Sequence, residues 1–115
     1  MTPPTHAWVP FEQGATLGSR GSESGLILLD EEYWDAARIT LERDTSVAPF
    51  AITCGIYWLL MHTRFFDAEA AATSAYAAMK ADIQTIVDGI DSNDPAIQAP
   101  AESLLDHFTD KYPTG

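Results

Sequence analysis

Apolar and polar positions divide this chain into segments of different period. The longest uncharged stretch, Val47 to Met61, holds fifteen residues and is broken only by Pro49 and Gly55. Crossing a bilayer takes about 20 apolar residues, so this stretch is too short to span one. Its aromatic and β-branched content, followed by the polar run His62-Thr63-Arg64, predicts an extended segment buried on both faces. That strand is expected to begin near Phe50 and to continue to Phe66, with a bulge or bend at Gly55.

Two shorter strands precede it. Gly25 to Asp30 is a compact apolar run, and residues 31–35 are expected to connect it to the next strand. Ala37, Ile39 and Leu41 then alternate with Arg38, Thr40 and Glu42, the clearest period-two pattern in the chain,. Residues 44–49 read as a turn. Trp8-Val9-Pro10-Phe11 is a short apolar anchor, and Pro10 restricts it to a sheet edge. Residues 1–7 and 111–115 read as loose ends.

The period changes after Asp67. Ala72, Tyr76, Met79, Ile83, Ile86 and Ile90 follow one another at steps of four and three, which places them on one face of a helix,. Asp67 is the expected N-cap and Gly89 the stop, giving a helix over about residues 67–89. Asp94-Pro95 opens a further helical turn. Pro100 is expected to break it, with a short helix over 101–110 that presents Leu104, Leu105 and Phe108.

These elements predict a single α+β domain: an antiparallel meander of three to four strands, one long helix across one face, and a short C-terminal helix. Connections of about five residues favour antiparallel neighbours. One helix covers only one face of the sheet. The second face is expected to be covered by the C-terminal helix, by the Trp8–Phe11 segment, or by a second copy of the chain.

Composition narrows the classes of function. Seventeen acids oppose six bases, for a formal charge of −11. Residues 1–66 carry eight acids against four bases, and residues 67–115 carry nine against two. Nucleic-acid backbones need Lys and Arg to displace counterions, so neither a nucleic acid nor an anionic membrane is an expected partner. One cysteine, Cys54, excludes an internal disulfide framework,. The start of the chain lacks a basic then apolar leader, and a cytoplasmic protein is expected.

Candidate chemistry is sparse. Cys54 and His62 are the pair to test for nucleophilic catalysis. Along one strand they stand roughly 26 Å apart at about 3.3 Å per residue. Only a hairpin near residue 58 would join them, and Tyr57-Trp58-Leu59 lacks the residues such a turn favours. Cys54 is expected to be a small buried hydrophobe, and no catalytic residue is assigned. Arg38, Glu42, His62 and Arg64 form a polar patch if the second and third strands align in parity. The patch is either a small anion site, with an arginine clamping the anion and His62 as its proton-exchanging group, or plain cross-strand ion pairing.

The glycine- and serine-rich residues 14–25 suggest a phosphate cradle, but no Lys-Ser/Thr and no helix start follow. They read better as a surface loop. Asp30, Glu31, Glu32 and Asp35 lack the spacing of a calcium loop and read as a solvated turn. His6 and His107 form no ligand spacing, so neither a metal nor another cofactor is expected. Trp34 and Trp58 are the candidate partner-binding residues, Trp34 because it sits in a charged connection.

The leading expectation is a non-enzymatic association module: a homodimer, or an acidic inhibitor or immunity-type protein that binds a basic partner. The alternative is a small-molecule or small-enzyme domain. Its pocket would lie between sheet and helix, with His62 and Arg64 at the rim and the glycine-rich loop as a lid.

Overall fold

The uncharged stretch does not run through as one strand but turns back on itself. In the computed structural model, which describes residues 7–114, Phe50–Ile56 and Leu60–Phe66 are separate antiparallel strands joined at Tyr57-Trp58-Leu59. Trp58 adopts φ 73° at the tip. A left-handed backbone at a bulky residue costs on the order of 1–3 kcal/mol. That cost is offset by burial, because Ile52, Cys54 and Ile56 are each at most 3% exposed. Filling a core site with an isoleucine contributes about 1.5–3 kcal/mol. The Tyr57 N–H also donates to the Ala36 carbonyl at 2.9 Å, which ties this turn to its neighbour.

The sheet therefore has five strands: β1 (Trp8–Pro10), β2 (Leu26–Tyr33), β3 (Ala37–Arg43), β4 (Phe50–Ile56) and β5 (Leu60–Phe66). They lie in sequence order, each antiparallel to the next. The α+β meander is as expected, with two strands more than the minimum. Gly55 is not a bulge, since it pairs in register with both Arg38 and Met61. The register shift lies instead in β2, between Ile27 and Leu29. β2 also runs further than expected. Asp30, Glu31 and Glu32 belong to the strand and not to a solvated turn, because each faces a partner on β3 or on a helix.

Alternation sorts the strands into two faces. Ala37, Ile39 and Leu41 of β3 and Ile52, Cys54 and Ile56 of β4 face the core with Phe66. Helix α1 (Glu69–Gly89) covers them with Ala72, Tyr76, Met79, Ile83 and Ile86, as the spacing predicts. Its N-cap is Ala68, without a side-chain cap, so Asp67 does not fill that role. The chain is still extended at Ala68 (φ −126°, ψ 141°), one residue past the expected cap.

Helix α2 (Pro95–Asp106) starts as expected, with the Asp94 carboxylate accepting the Ala96 N–H at 3.0 Å. It continues through Pro100, which is exposed, and ends at His107 before the short α3 (Phe108–Lys111). A proline in the second turn gives up only one backbone bond, and here the helix absorbs it. Gly89 marks the crossing of α1 and α2: a Cβ there would lie 2.7 Å from the Ala101 Cβ. All three helices lie on one face of the sheet, so the C-terminal helix does not cover the other.

Residues 111–114 lie against the molecule. Lys111 pairs with Asp82 at 2.7 Å, Tyr112 is buried, and the Phe65 N–H donates to the Thr114 carbonyl at 2.8 Å. For residues 1–6, the expected fraying lies outside the described residues.

Candidate functional site

The second face of the sheet is closed at one end by the glycine-rich segment, and the anchor is Glu42. This carboxylate is fully buried. It accepts the Gly25 N–H at 3.0 Å and the Glu23 N–H at 3.2 Å. A Cβ at Gly21 would lie 2.4 Å from the Glu42 carboxyl carbon, so only glycine leaves room for the group. Burial pushes the Glu42 carboxyl above its ordinary value, while the two backbone N–H donors oppose that shift,. The loop is thus an anion cradle, and the anion it holds is the chain's own side chain.

A second cluster lies along the same face. Asp30 is buried and accepts from Arg38 Nε at 2.9 Å and Nη2 at 2.6 Å. The Thr16 hydroxyl donates to the same carboxylate at 2.7 Å. The Phe11 ring stacks on the Arg38 guanidinium at 3.6 Å, fixing its plane,. Its hydrogen bond to Asp30 holds Arg38 even more firmly charged than usual. Between this cluster and the loop lies a cavity of about 380 Å³, bordered by Thr40, Thr53 and Gly55 of the sheet.

The four residues of the expected anion patch are not brought together. Arg38 and Glu42 face the loop-covered side. His62 and Arg64 are paired with Cys54 and Ile52 and so face the helices. β3 and β5 are separated by β4, and the β3–β4 register, which sets Arg38 against Gly55 and Glu42 against Ala51, divides the four between the two faces. His62 Nε2 bonds the Tyr112 carbonyl, and its ring meets Phe108 edge-on at 6.3 Å. Arg64 lies over Phe66 and Tyr112. Both residues hold the C-terminal segment to the sheet. The cavity accordingly reaches Arg38 and not Arg64, and it lies on the face away from the helices.

The hairpin does set Cys54 opposite His62, against the expectation that no turn would join them. Cys54 is 1% exposed, and burial pushes its thiol up to about 12. A nucleophile needs the thiolate, and the His62 Nε2 is already engaged, so the pair lacks the chemistry of a dyad. Among the described residues, no three His, Cys, Asp or Glu side chains are placed to hold a metal ion.

The other exposed feature is the sheet end where two turns meet. Trp58 is 101% exposed and Met61 76%. Tyr57, Leu59 and, on the β2–β3 turn, Trp34 are also exposed. Trp34 shares the left-handed backbone, at φ 36°. Burial raises the Tyr57 phenol, and so do the carboxylates of Glu32, Asp30 and Asp35, against a lowering by Arg38. The tip is therefore an apolar surface set in a field of acids.

Sequence reasoning named Trp34, Trp58 and Arg38. It read Asp30 as part of a solvated turn and Phe11 only as an anchor, and it did not single out Thr16 or the cavity wall. Extending β2 by three residues would have found Asp30, because a tight turn at 34–36 sets 30 against 40 and 32 against 38. No family model matches the chain, and no curated protein or solved structure matches it either.

Proposed function

We propose that this chain is a protein-association module that engages a basic partner through the sheet end carrying Trp34 and Trp58, in the manner of a small acidic inhibitor. The observation that carries this reading is Trp58. It combines complete exposure with a left-handed backbone that disfavours any bulky residue,. A glycine would sit there without strain, so the tryptophan reads as a side chain kept for contact. Tryptophan is the residue most enriched at binding hot spots. The surrounding carboxylates give the charge a basic surface would meet.

A homodimer is the second reading, and charge disfavours it. A two-fold interface opposes each patch to itself, so Glu32 and Asp35 would face like charges on a chain of formal charge −11. Sheet extension is also hindered. β1 is three residues long and ends in Pro10, and the tail bonds the free edge of β5 at Phe65,. No described helix is long and apolar enough to cross a membrane. One free buried thiol suits a reducing compartment, and the reading places the module in the cytoplasm,.

Trp58→Gly tests the reading. Relief of backbone strain should raise stability by about 1 kcal/mol, read by urea denaturation. Cross-linking in the source cells should join the unaltered chain to one basic protein, and the variant should lose at least about tenfold of that yield. Equal capture by the two chains would sink the reading. A cross-linked self-dimer would replace it with the homodimer.

A further inference from the structure

We propose that the cavity on the helix-free face is a binding site for a small carboxylate with a flat apolar body. At about 380 Å³ it falls within the usual range of roughly 300–1,000 Å³ for small-molecule sites. It is separate from the Trp58 contact in its chemistry, and neither site requires the other.

Charge is the first argument. The chain has only six lysines and arginines against seventeen acids. Two of the six, Arg20 and Arg38, line this one cavity, and no carboxylate is among its lining residues. The two acids set against cavity residues are already occupied: Asp30 by Arg38 Nε and Nη2, and Glu42, behind Gly21, by the Gly25 and Glu23 N–H groups. A guanidinium carries five N–H donors, so the Nη1 group of Arg38 remains for a further acceptor. Arg20 uses Nη1 on the Ser24 carbonyl at 2.6 Å, which leaves its Nε and Nη2. The remote acids of the molecule act weakly here, because charges beyond about 8 Å are screened at physiological salt.

Hydrogen bonding is the second. The Ser22 and Thr53 hydroxyls lie 3.4 Å apart across the cavity wall, and Thr53 lies 3.2 Å from Thr63. Such O–H···O contacts normally close to about 2.7–2.8 Å. Both hydroxyls therefore have capacity for a better acceptor. Two guanidinium groups and two hydroxyls line the one cavity as donors, and a carboxylate supplies the matching lone pairs.

Shape is the third. Gly55 has no side chain to interrupt the floor, and a Cβ there would lie 2.6 Å from Met61 Sδ. The Met61 thioether thus lies flat on bare backbone. It is an adaptable apolar wall for a planar group, and because Met61 is exposed it is free to move aside.

The test is a titration of the isotopically labelled full chain, followed by amide chemical shifts. The probes are benzoate, 4-hydroxybenzoate, indole-3-acetate and hexanoate, each beside its neutral amide. At least one carboxylate should shift the Ser22, Thr53 and Gly55 amides saturably below about 10 mM, and its amide should bind at least about tenfold more weakly. Arg20→Gln alters an exposed side chain, so the fold should persist while affinity falls at least about fivefold. Arg38→Lys keeps a cation beside Asp30 but loses the planar fork, and it should weaken binding similarly. Absence of saturable shifts with all four acids would overturn the proposal. So would equal binding of acid and amide, or unchanged affinity in both variants. None of these readouts involves Trp58 or a protein partner.

Discussion

The two faces of the sheet hold their carboxylates in opposite ways. On the helix face the buried group is the phenol, and three acids outside the core, Asp88, Glu31 and Asp82, each meet one. Tyr33 donates to Asp88 at 2.7 Å, Tyr76 to Glu31 at 2.8 Å and Tyr112 to Asp82 at 2.5 Å. Lys80 and Lys111 complete two of these sets. On the other face Asp30 meets a guanidinium and Glu42 meets backbone N–H groups. The first arrangement closes the seam between sheet and helix with side chains. The second leans on a loop and leaves a cavity beside it. The helix face is built for stability, and the loop face keeps donors that the fold does not consume.

The largest effect that would sharpen this contrast lies in the closed face. Phe108 is completely buried and packs on Tyr112 and His62. Phe108→Ala should cost about 3–5 kcal/mol in urea denaturation, the usual range for an aromatic core deletion. A loss below about 1 kcal/mol, the scale of a surface change, would mean that the C-terminal helices add little to that face.

The open face should respond less, and with a distinctive dependence on pH. Glu42→Gln keeps the shape but turns an amide NH₂ toward one of the N–H donors, for a loss of about 1–3 kcal/mol. Burial raises the Glu42 carboxyl in the folded chain above its ordinary value of 4.5. The folded state therefore takes up a proton before the unfolded state does. The contribution from this raised value is fully present below 4.5 and is lost as pH rises through the folded value,. Stability of the unaltered chain, measured relative to Glu42→Gln, should thus rise on acidification across that window. A flat difference between pH 4 and 7 would show that folding does not raise this carboxyl.

Local periodicity carried most of the helix face. The four-three spacing from Ala72 to Ile86 and the alternation from Ala37 to Leu41 each report one chain segment against one surface, and both placed the core residues where they lie. The loop face was illegible for a physical reason. Asp30 and Arg38 are eight positions apart, but the contacts from the loop to the sheet join residues 14 to 31 positions apart, such as Thr16 with Asp30 and Ser22 with Thr53, and no short window contains both partners. The hairpin at Trp58 was hidden because Tyr57-Trp58-Leu59 lack the residues that turns favour. The expected patch required the second and third strands to align in parity, and the register between them does not: Arg38 and Glu42 lie against Gly55 and Ala51, while His62 and Arg64 share a face with Cys54 and Ile52. The glycine-rich segment read better as a surface loop than as a phosphate cradle, yet it does cradle an anion, a glutamate on a strand seventeen or more residues away.

The smallest effect tests the seam itself. Tyr76 is almost fully buried, and its hydroxyl bonds Glu31 Oε1, which Lys80 also holds at 2.9 Å. Tyr76→Phe removes the hydroxyl without opening a cavity, and Lys80 remains to satisfy the carboxylate. The cost near neutral pH should therefore be about 1 kcal/mol. Burial first, then the bond to Glu31, pushes the Tyr76 phenol well above its ordinary value of 10. A raised value favours the protonated folded state, so its contribution is complete below pH 10 and declines as pH rises toward the folded value,. The unfolded chain ionises first, which pulls the equilibrium toward unfolding in alkali. Tyr76→Phe has no phenol to ionise at that position. Its deficit should shrink above pH 10 and then reverse, followed by circular dichroism at increasing urea. If the variant stayed equally weaker from pH 7 to 11, the phenol–carboxylate bond would not be what closes the seam, and the contrast between the two faces would reduce to apolar packing on one of them.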